Sequence, residues 1–457
     1  MADLPDVFLI VLDTVRRDFL PVYGGPARMP NLEALARDSV VFPNAIAPSP
    51  WTIPSHVSMI SGLYPREHGV HEDEDGPDRI SERMRGYGGP NIVERLRRRG
   101  YNAVGLSNNM IVGPGSGFDH WFNAFTGWDH LEPPGVDGSI LHEATDFGKN
   151  VTEIALNLLK RGDLRRLLRY YSAYRRLRRA YRQHGYPTMK AARAIVDAFT
   201  SSSFERPLFA FMNFMEAHEP VADWEINKWI AIYRVTDVLS EGSLLTESMM
   251  QAVRSGYVRA LEAMDGQLGR LLDHLRRSGL YDESLIIVTS DHGQAMKEPR
   301  KYPFYGHGDF LYPELVEVPL IVKFPGNSRV DVGEGYQSLI KIPDLINGVI
   351  EGYREDLLTE ELAFSEAFGS VVNLSKWFED GTLPRHLEPK AHEILHPRKA
   401  VYKGGYRLVV DGLNGEVEEF SREGRDLSPS ENGEVLRDML SELELFRGTE
   451  KFAVPKL

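Results

Sequence analysis

Three clusters of polar side chains, each following a strand-like apolar run, constrain the fold of this chain more than any other feature. The run Val7–Leu12 ends at Asp13, residues 284–289 lead to Asp291, and residues 52–56 form the third polar cluster. Runs this short and this apolar are typical of strands buried on both faces of a parallel sheet. Because ligands gather outside the carboxyl ends of strands in open α/β sheets, we expect the three clusters to converge there.

The rest of the chain continues this alternation of helix and strand patterns. Its 457 residues are too many for one small core, which indicates a large α/β domain with a smaller second unit. We predict the α/β domain over 1–326, with a basic helical insertion at about 141–203. A smaller C-terminal subdomain over 327–457 carries two or three antiparallel strands within 400–419 and a terminal helix. The other predicted elements are helices at 30–36, 91–99 and 249–278 and strands at 40–42, 102–106 and 208–214.

The composition excludes several classes of site and partner. The chain has no cysteine, so disulfides, thiolate zinc sites and cysteine nucleophiles are excluded. A formal net charge of -13 argues against nucleic acid as a partner. The N-terminal apolar run lacks a basic lead-in, and no stretch approaches the roughly 18 to 20 apolar residues that span a bilayer. We therefore expect a cytoplasmic protein.

Together the polar clusters offer the ligands of one divalent metal. Asp13 and Asp291 supply carboxylates, His292 supplies an imidazole, and Thr52 supplies a hydroxyl. Each aspartate taken alone is more often a turn or helix-capping residue. Carboxylates with one imidazole suit manganese, zinc or magnesium better than calcium, which prefers an all-oxygen shell. Coordination of the hydroxyl would turn it into a nucleophile at neutral pH.

Several spaced motifs resemble those of the sulfatase family, within the alkaline-phosphatase superfamily. Residues 29–70 resemble the family's N-terminal signature, and residues 289–293 resemble its second metal motif. Residues 306–308 and 318–321 resemble the segment that follows that motif. The resemblance implies an α/β sandwich with a large central, mostly parallel sheet, a small C-terminal antiparallel subdomain, and one metal at the strand ends.

The nucleophile motif departs from the sulfatase pattern. Sulfatases carry Cys or Ser, any residue, Pro, any residue and Arg, and they oxidise the first residue to formylglycine; here that first residue is Thr52. Oxidation of threonine would give a ketone rather than an aldehyde. Threonine here, with Thr14 in place of a second aspartate, resembles the phosphoglycerol and phosphoethanolamine transferases of the superfamily. That resemblance implies a metal ligand set of Asp13, Thr52, Asp291 and His292.

Four further residues take positions that have roles in the family. His307 stands where the family has a lysine that assists the leaving group, and His218 resembles its histidine beside the ester oxygens. His56 replaces an arginine and is expected to steady Thr52 or the metal ligands. Asn108 takes another lysine position and is expected to donate to a substrate oxygen. Each of these histidines taken alone is more often a structural core residue.

The predicted insertion is strongly basic. Between 141 and 203, arginines alternate with leucine and tyrosine in a helical pattern. One interpretation is a solvated face whose arginines pair with the chain's many acids. The alternatives are a surface for anionic lipid headgroups or an acidic polymer, or an oligomer interface. The sequence leaves these alternatives open.

The motifs predict a metal-dependent hydrolase or transferase. We expect it to act on phosphate mono- or diesters or phosphonate esters through a metal-activated Thr52. The first alternative is a sulfuric ester hydrolase that works without formylglycine, and the second is a non-catalytic binding protein on the same fold. The expected partner is a small-molecule, glycan-linked or lipid-linked phosphate or sulfate ester.

Overall fold

The computed structural model describes residues 4–72, 79–127, 192–240, 244–353, 355–369, 386–428 and 432–446, with isolated positions between 159 and 175. The predicted basic insertion at about 141–203 therefore lies largely outside the described residues, and its role stays a prediction. Within the described ranges, no helix combines the length and the apolar character needed to cross a bilayer.

Strands and helices are numbered here in chain order. The strands are β1 (Val7–Leu12), β2 (Val40–Phe42), β3 (Ala45–Ile46), β4 (Asn102–Ser107), β5 (Ala124–Thr126), β6 (Leu208–Phe214), β7 (Leu285–Thr289), β8 (Ala295–Met296), β9 (Tyr305–Gly306), β10 (Leu320–Lys323), β11 (Tyr336–Ser338), β12 (Thr359–Glu360), β13 (Leu362–Ala367), β14 (Arg398–Lys403), β15 (Tyr406–Asp411), β16 (Val417–Arg422) and β17 (Arg425–Asp426). The α-helices are α1 (Pro30–Arg37), α2 (Thr52–Ser61), α3 (Pro65–His68), α4 (Ile80–Gly86), α5 (Ile92–Arg98), α6 (Ala192–Thr200), α7 (Trp224–Leu239), α8 (Glu247–Arg277), α9 (Pro313–Val316), α10 (Ile342–Glu351), α11 (Glu388–Ile394) and α12 (Gly433–Phe446).

A seven-stranded sheet forms the centre of the molecule. Its strand order is β2-β10-β7-β1-β6-β4-β5. β1 pairs in parallel with β6 and β7, and β4 pairs in parallel with β5 and β6, whereas β10 runs antiparallel to β2 and β7. All residues of β1, β6 and β7 are buried, as expected for strands covered on both faces. The predicted large, mostly parallel central sheet is confirmed.

Helices pack on both faces of this sheet. Successive side chains of a strand point to opposite faces, so a strand that is apolar throughout serves two cores. Leu9 and Val11 pack into the core that contains α2 and α5. Phe8 and Ile10 pack into the core that contains α1, α6 and α8. The unbroken apolar run at the N-terminus is therefore explained by burial on both sides.

The long helix α8 offers a test of how closely it approaches its neighbours. At Gly256 an added Cβ would lie 2.1 Å from the Val221 carbonyl oxygen, whereas at the exposed Gly266 it would meet nothing within 4 Å. We expect Gly256→Ala to destabilise the fold by about 1–3 kcal/mol through overpacking. Gly266→Ala, the matched control, should stabilise it by about 0.5–1 kcal/mol because the unfolded chain loses freedom. Urea unfolding measures both; equal midpoints for the two variants would contradict the close approach.

A second, antiparallel sheet is formed by the C-terminal part of the chain. Its order is β13-β14-β15-β16-β17, and Met439 and Leu443 of α12 pack against Val401 and Leu408 on it. The sequence predicted two or three strands here, and the structure adds β13 before them and β17 after them. The predicted α/β fold with a C-terminal antiparallel sheet is confirmed. The division of the chain near residue 326 stays a prediction.

Candidate metal and nucleophile site

Asp13 and Asp291 lie side by side at the carboxyl ends of the neighbouring strands β1 and β7. The strands pair with Val11 opposite Thr289, so the residues that follow emerge at the same edge of the sheet. Thr14 links them, because its N–H donates to Asp291 Oδ1 over 3.2 Å and its hydroxyl donates to the Asp13 carbonyl oxygen over 2.7 Å. Thr14 has a φ of 59°, a left-handed conformation that is rare for a β-branched residue and that clusters at functional sites.

Asp13, Asp291 and His292 form a cluster suited to a cation. All three are fully buried, and each presents a ligand atom within 4.8 Å of the others. Among the described residues, Asp13 Oδ1 and Asp291 Oδ2 have no hydrogen-bond partner. A buried carboxylate oxygen without a partner is costly, and a divalent cation would satisfy both oxygens. The residues therefore fit the metal that the sequence predicts.

The electrostatics of the two carboxylates agree with this reading. Burial raises the pKa of Asp291 well above its usual range, and the neighbouring Asp13 carboxylate raises it further. Burial also acts to raise the pKa of Asp13, but nearby imidazoles, above all that of His218, hold it below its usual range. Two acids that share one buried space resist ionising together unless a positive charge joins them. A divalent cation would supply that charge.

Two amides that the sequence pattern did not reveal hold the other oxygen of Asp13. Asn109 Nδ2 donates to Asp13 Oδ2 over 2.7 Å, and Asn213 Nδ2 donates to the same oxygen over 3.2 Å. Asn213 belongs to β6 and Asn109 follows β4, so both come from the strands beyond β1. Asn108, the predicted substrate ligand, is half-buried beside Asn109. The role of Asn108 stays a prediction.

Loss of the Asn109 amide should weaken metal binding. We expect Asn109→Ala to lower metal affinity roughly 10- to 100-fold, because residues that orient a ligand oxygen usually contribute that much. Isothermal titration calorimetry with Mn²⁺, on protein from which the metal has been removed with a chelator, measures the change. Asn31→Ala is the control, since Asn31 Nδ2 donates to Asp265 Oδ2 over 2.8 Å in another part of the fold. Equal Mn²⁺ affinities for the two variants would show that Asn109 does not contribute to the metal site.

Thr52 reaches this cluster from the first residue of α2. The helix begins at Thr52, after the extended residue Trp51, and it is buried along its whole length. Thr52 Oγ1 lies 3.1 Å from His292 Nε2. Ser55, one turn into the helix, donates its hydroxyl to the Asp291 carbonyl oxygen over 2.6 Å and so ties α2 to the loop after β7. The hydroxyl thus stands at a helix N-terminus, where anions are favoured.

The loop after β7 fixes the position of His292. Ser290 Oγ accepts from the Val15 N–H over 2.9 Å and donates to the His292 carbonyl oxygen over 2.6 Å. At Gly293 an added Cβ would lie only 2.0 Å from the Glu314 carbonyl oxygen. No side chain fits there, so glycine allows the close approach that places the imidazole beside Asp291.

The four histidines that the sequence singles out share one hydrogen-bonding pattern. Each Nδ1 faces an oxygen that can only accept, so Nδ1 carries a proton, and in the neutral form of each ring the lone pair is on Nε2. Burial lowers the pKa of His56 and of His292 to about 4, and it lowers the pKa of His307 well below the usual range. The pairs are His56 with Thr52 O at 2.8 Å, His218 with Glu219 O at 2.8 Å, His292 with Gly293 O at 2.9 Å and His307 with Gln294 Oε1 at 2.8 Å.

His218 and His307 line the site beside His292. The ring centroids of His292 and His307 are 4.5 Å apart, and those of His218 and His307 are 5.2 Å apart. Both flanking rings are half-buried, whereas His56 is fully buried under Thr52. The expected role of His307 in assisting a leaving group requires a proton on Nε2. If His307 Nδ1 donates to Gln294 Oε1, the neutral ring has its lone pair on Nε2. The role of His307 stays a prediction.

Comparison with known proteins agrees with the motifs. Residues 5–351 match the sulfatase family. An arylsulfatase of Clostridium perfringens is 22% identical over 383 residues, which cover 76% of this chain and 74% of that protein. An N-acetylglucosamine-6-O-sulfatase of Bacteroides thetaiotaomicron is 22% identical over 384 residues, which cover 70% of this chain and 63% of that protein. The chain therefore spans less than two thirds of the second relative.

Solved structures share the fold over almost the whole chain. The phosphonate monoester hydrolase of Agrobacterium radiobacter superposes with a TM-score of 0.60 at 17% identity, covering 97% of this chain and 94% of that one. The phosphonate monoester hydrolase of Silicibacter pomeroyi gives a TM-score of 0.63 at the same identity and coverage. At this identity the likeness concerns the fold, and the match over 5–351 decides the family. The prediction of an enzyme rather than a non-catalytic protein is confirmed, and the chain belongs to the sulfatase family, within the alkaline-phosphatase superfamily.

Proposed function

We propose that this member of the sulfatase family hydrolyses phosphate mono- or diesters or phosphonate esters, with the Thr52 hydroxyl as a covalent nucleophile. One observation carries the proposal. The residue beside the cluster of Asp13, Asp291 and His292 is threonine, with Oγ1 at 3.1 Å from His292 Nε2. Because threonine cannot become the aldehyde of formylglycine, its own hydroxyl is the nucleophile that the site offers.

The metal in this proposal is held by Asp13, Asp291, His292 and Thr52. A divalent cation in this cluster would favour the alkoxide of a coordinated hydroxyl and neutralise the two carboxylates. The mixture of carboxylates with one imidazole suits manganese, zinc or magnesium better than calcium. Asn109 and Asn213 hold Oδ2 of Asp13 and leave Oδ1 without a hydrogen-bond partner among the described residues.

The proposed reaction consists of two displacements at phosphorus, and atoms and protons balance in each. In the first, Thr52 Oγ1 bonds to phosphorus and the P–O bond to the alcohol breaks; the proton lost by Thr52 is the one that the departing alkoxide needs. In the second, water attacks phosphorus, the bond to Thr52 breaks, and a proton from water returns to Thr52. In the neutral forms of His218 and His307, whose Nδ1 atoms donate to oxygens, Nε2 can receive these protons in transit. An alcohol in place of water would make the same enzyme a transferase.

A sulfate ester is the second candidate substrate. The curated relatives named above are sulfatases, whereas the solved structures named above are phosphonate monoester hydrolases. The relatives also include an enzyme named for a sulfated amino sugar, which supports a small or glycan-linked ester for this chain. We rank phosphorus above sulfur because Thr52 replaces the residue that sulfatases convert to formylglycine.

A panel of chromogenic esters tests this ranking. The chelated protein is reloaded separately with Mn²⁺, Zn²⁺, Mg²⁺ and Ca²⁺ and assayed with p-nitrophenyl sulfate, p-nitrophenyl phosphate, bis(p-nitrophenyl) phosphate and p-nitrophenyl phenylphosphonate. We expect kcat/KM to be highest for a phosphorus ester and with a metal other than calcium. Faster turnover of the sulfate than of every phosphorus ester would overturn the proposal in favour of the second candidate.

A further inference from the structure

One histidine of the site depends on a side chain for its protonation pattern. His56, His218 and His292 donate from Nδ1 to backbone carbonyl oxygens, whose position the fold fixes. His307 donates from Nδ1 to the side-chain amide of Gln294 over 2.8 Å. An amide presents an oxygen at one end and an NH₂ group at the other, so either tautomer of His307 would find a partner if the amide could turn over.

Glu219 decides which way that amide faces. Gln294 Nε2 donates to Glu219 Oε2 over 3.1 Å, and an ionised carboxylate can only accept. The NH₂ end of Gln294 must therefore point to Glu219 and the oxygen end to His307. The other oxygen of Glu219 pairs with Arg234. Burial alone would raise the pKa of Glu219, but Arg234, His218 and the hydrogen bond from Gln294 together outweigh burial and lower the pKa, so the carboxylate stays ionised.

The backbone of Gln294 is held as well. Arg16, which is buried and paired with Asp18 and Glu298, donates from its guanidinium to the Gln294 carbonyl oxygen over 3.1 Å. The side chain therefore starts from a fixed point, and its only polar partners among the described residues are Glu219 and His307. This row of contacts fixes which group donates and which accepts at each step from Arg234 to His307.

We propose that Glu219 and Gln294 are positioning residues that hold His307 as its Nδ1–H tautomer, so that Nε2 carries the lone pair and serves as a proton acceptor. The second half of the inference rests on the proposed function: in the second displacement, His307 Nε2 would take the proton of the attacking water. Water loses that proton as its oxygen bonds to phosphorus, and the protonated ring returns it to Thr52 as the bond to Thr52 breaks. The first half, the tautomer, does not depend on the substrate.

Nitrogen-15 NMR of the metal-loaded protein tests the tautomer directly. With ring-labelled histidine, and with the His307 signals assigned from a His307→Gln variant, we expect the wild-type ring to carry its proton on Nδ1. Glu219→Gln keeps the shape, but its oxygen still faces Arg234 and its NH₂ group now faces Gln294. The amide of Gln294 should therefore turn over, and His307 should shift to the Nε2–H tautomer. Glu317→Gln, which breaks a similar half-buried pair with Arg17, should leave the His307 signals unchanged. A wild-type proton on Nε2, or an unchanged tautomer in Glu219→Gln, would overturn the proposal.

A swapped pair separates positioning from a merely structural role. In the double variant Glu219→Gln/Gln294→Glu, the carboxylate at position 294 accepts from His307 Nδ1, and the amide at position 219 donates to it while its oxygen faces Arg234. The Nδ1–H tautomer should return. With bis(p-nitrophenyl) phosphate, kcat should fall roughly 10- to 100-fold in Glu219→Gln, with KM within about twofold, and recover at least tenfold in the double variant.

The two readouts distinguish failures. If the NMR signals follow the prediction but no phosphorus ester is turned over, the proposed function fails and the tautomer assignment stands. If the ester is turned over but kcat does not change when the tautomer of His307 changes, the proton-acceptor role of His307 is wrong. If the double variant shows neither the Nδ1–H signal nor recovered kcat, the positioning role of Glu219 and Gln294 is wrong.

Discussion

Replacing Thr52 by alanine should lower kcat for a phosphorus ester by at least about 10⁴-fold. Loss of a covalent nucleophile typically has an effect of this size, because what remains is only the binding and charge stabilisation of the site. The metal should stay bound, since Asp13, Asp291 and His292 keep their positions within 4.8 Å of one another. Stopped-flow assays and elemental analysis of the same sample measure both quantities.

Thr52→Ser is the matched control for that variant. Serine keeps the hydroxyl at the helix N-terminus and removes only a methyl group, so kcat should stay within about tenfold of the wild type. Full residual activity of Thr52→Ala would contradict the nucleophile assignment. Loss of the metal in Thr52→Ala would show that the hydroxyl acts mainly as a ligand.

Replacing Asp291 by asparagine should abolish high-affinity metal binding. The variant removes the charge of a fully buried ligand while Thr14 and His292 still have an oxygen to donate to. The wild-type protein should gain about 2.7 kcal/mol of stability when the free metal reaches 100 times its Kd, and the variant should gain almost none. The measurement is the melting temperature of chelated protein with and without added Mn²⁺.

After the metal is removed with a chelator, the Asp291→Asn variant should be more stable than the wild type. Asp291 has a pKa raised by burial and by Asp13, so its ionised form is disfavoured in the folded protein. An acid whose pKa is higher in the folded than in the unfolded protein lowers the free energy of unfolding as the pH rises above its unfolded-state pKa. Asparagine does not ionise, so the variant avoids this decrease. Asp265→Asn serves as control, because Asp265 also accepts from backbone N–H groups, those of Asn31 and Leu32, away from the metal. A metal-induced rise in melting temperature that survives in Asp291→Asn would contradict the ligand assignment.

The parts of the site that could be predicted from the sequence follow regular strands. Asp13 and Asp291 come directly after fully apolar runs, and parallel pairing brings their ends together whatever the loops do. Thr52 could be predicted because a proline in the first turn and a glycine after the last mark the limits of α2. In each case a periodic pattern fixes the place of one polar residue.

The residues that were missed lack such a pattern. Asn213 lies inside β6, where a single amide among apolar residues gives no sign of its partner. Asn109 lies next to the predicted substrate residue Asn108, and only the turn after β4 decides that the Asn109 side chain faces Asp13. Gln294 and Glu219 are far apart in sequence and meet only through the packing of the loops after β6 and β7. Contacts of this kind come from the tertiary structure alone.

The C-terminal sheet was underestimated for a related reason. β13 lies well before the predicted strands, and β17 has only two residues, too few for alternation to show. β13 pairs along its whole length with β14, so a partner distant in sequence determines it as a strand. The helix α12 was predicted within two residues of its start because its apolar residues recur at helical spacing.

The stereochemical course at phosphorus tests the central claim, covalent catalysis by Thr52, most directly. A chiral phosphorothioate diester with a p-nitrophenyl leaving group is hydrolysed by the metal-loaded protein in H₂¹⁸O, and the configuration of the product is determined by NMR. Each in-line displacement inverts phosphorus, so two displacements through Thr52 predict net retention. Net inversion would show direct attack by water and would contradict the account.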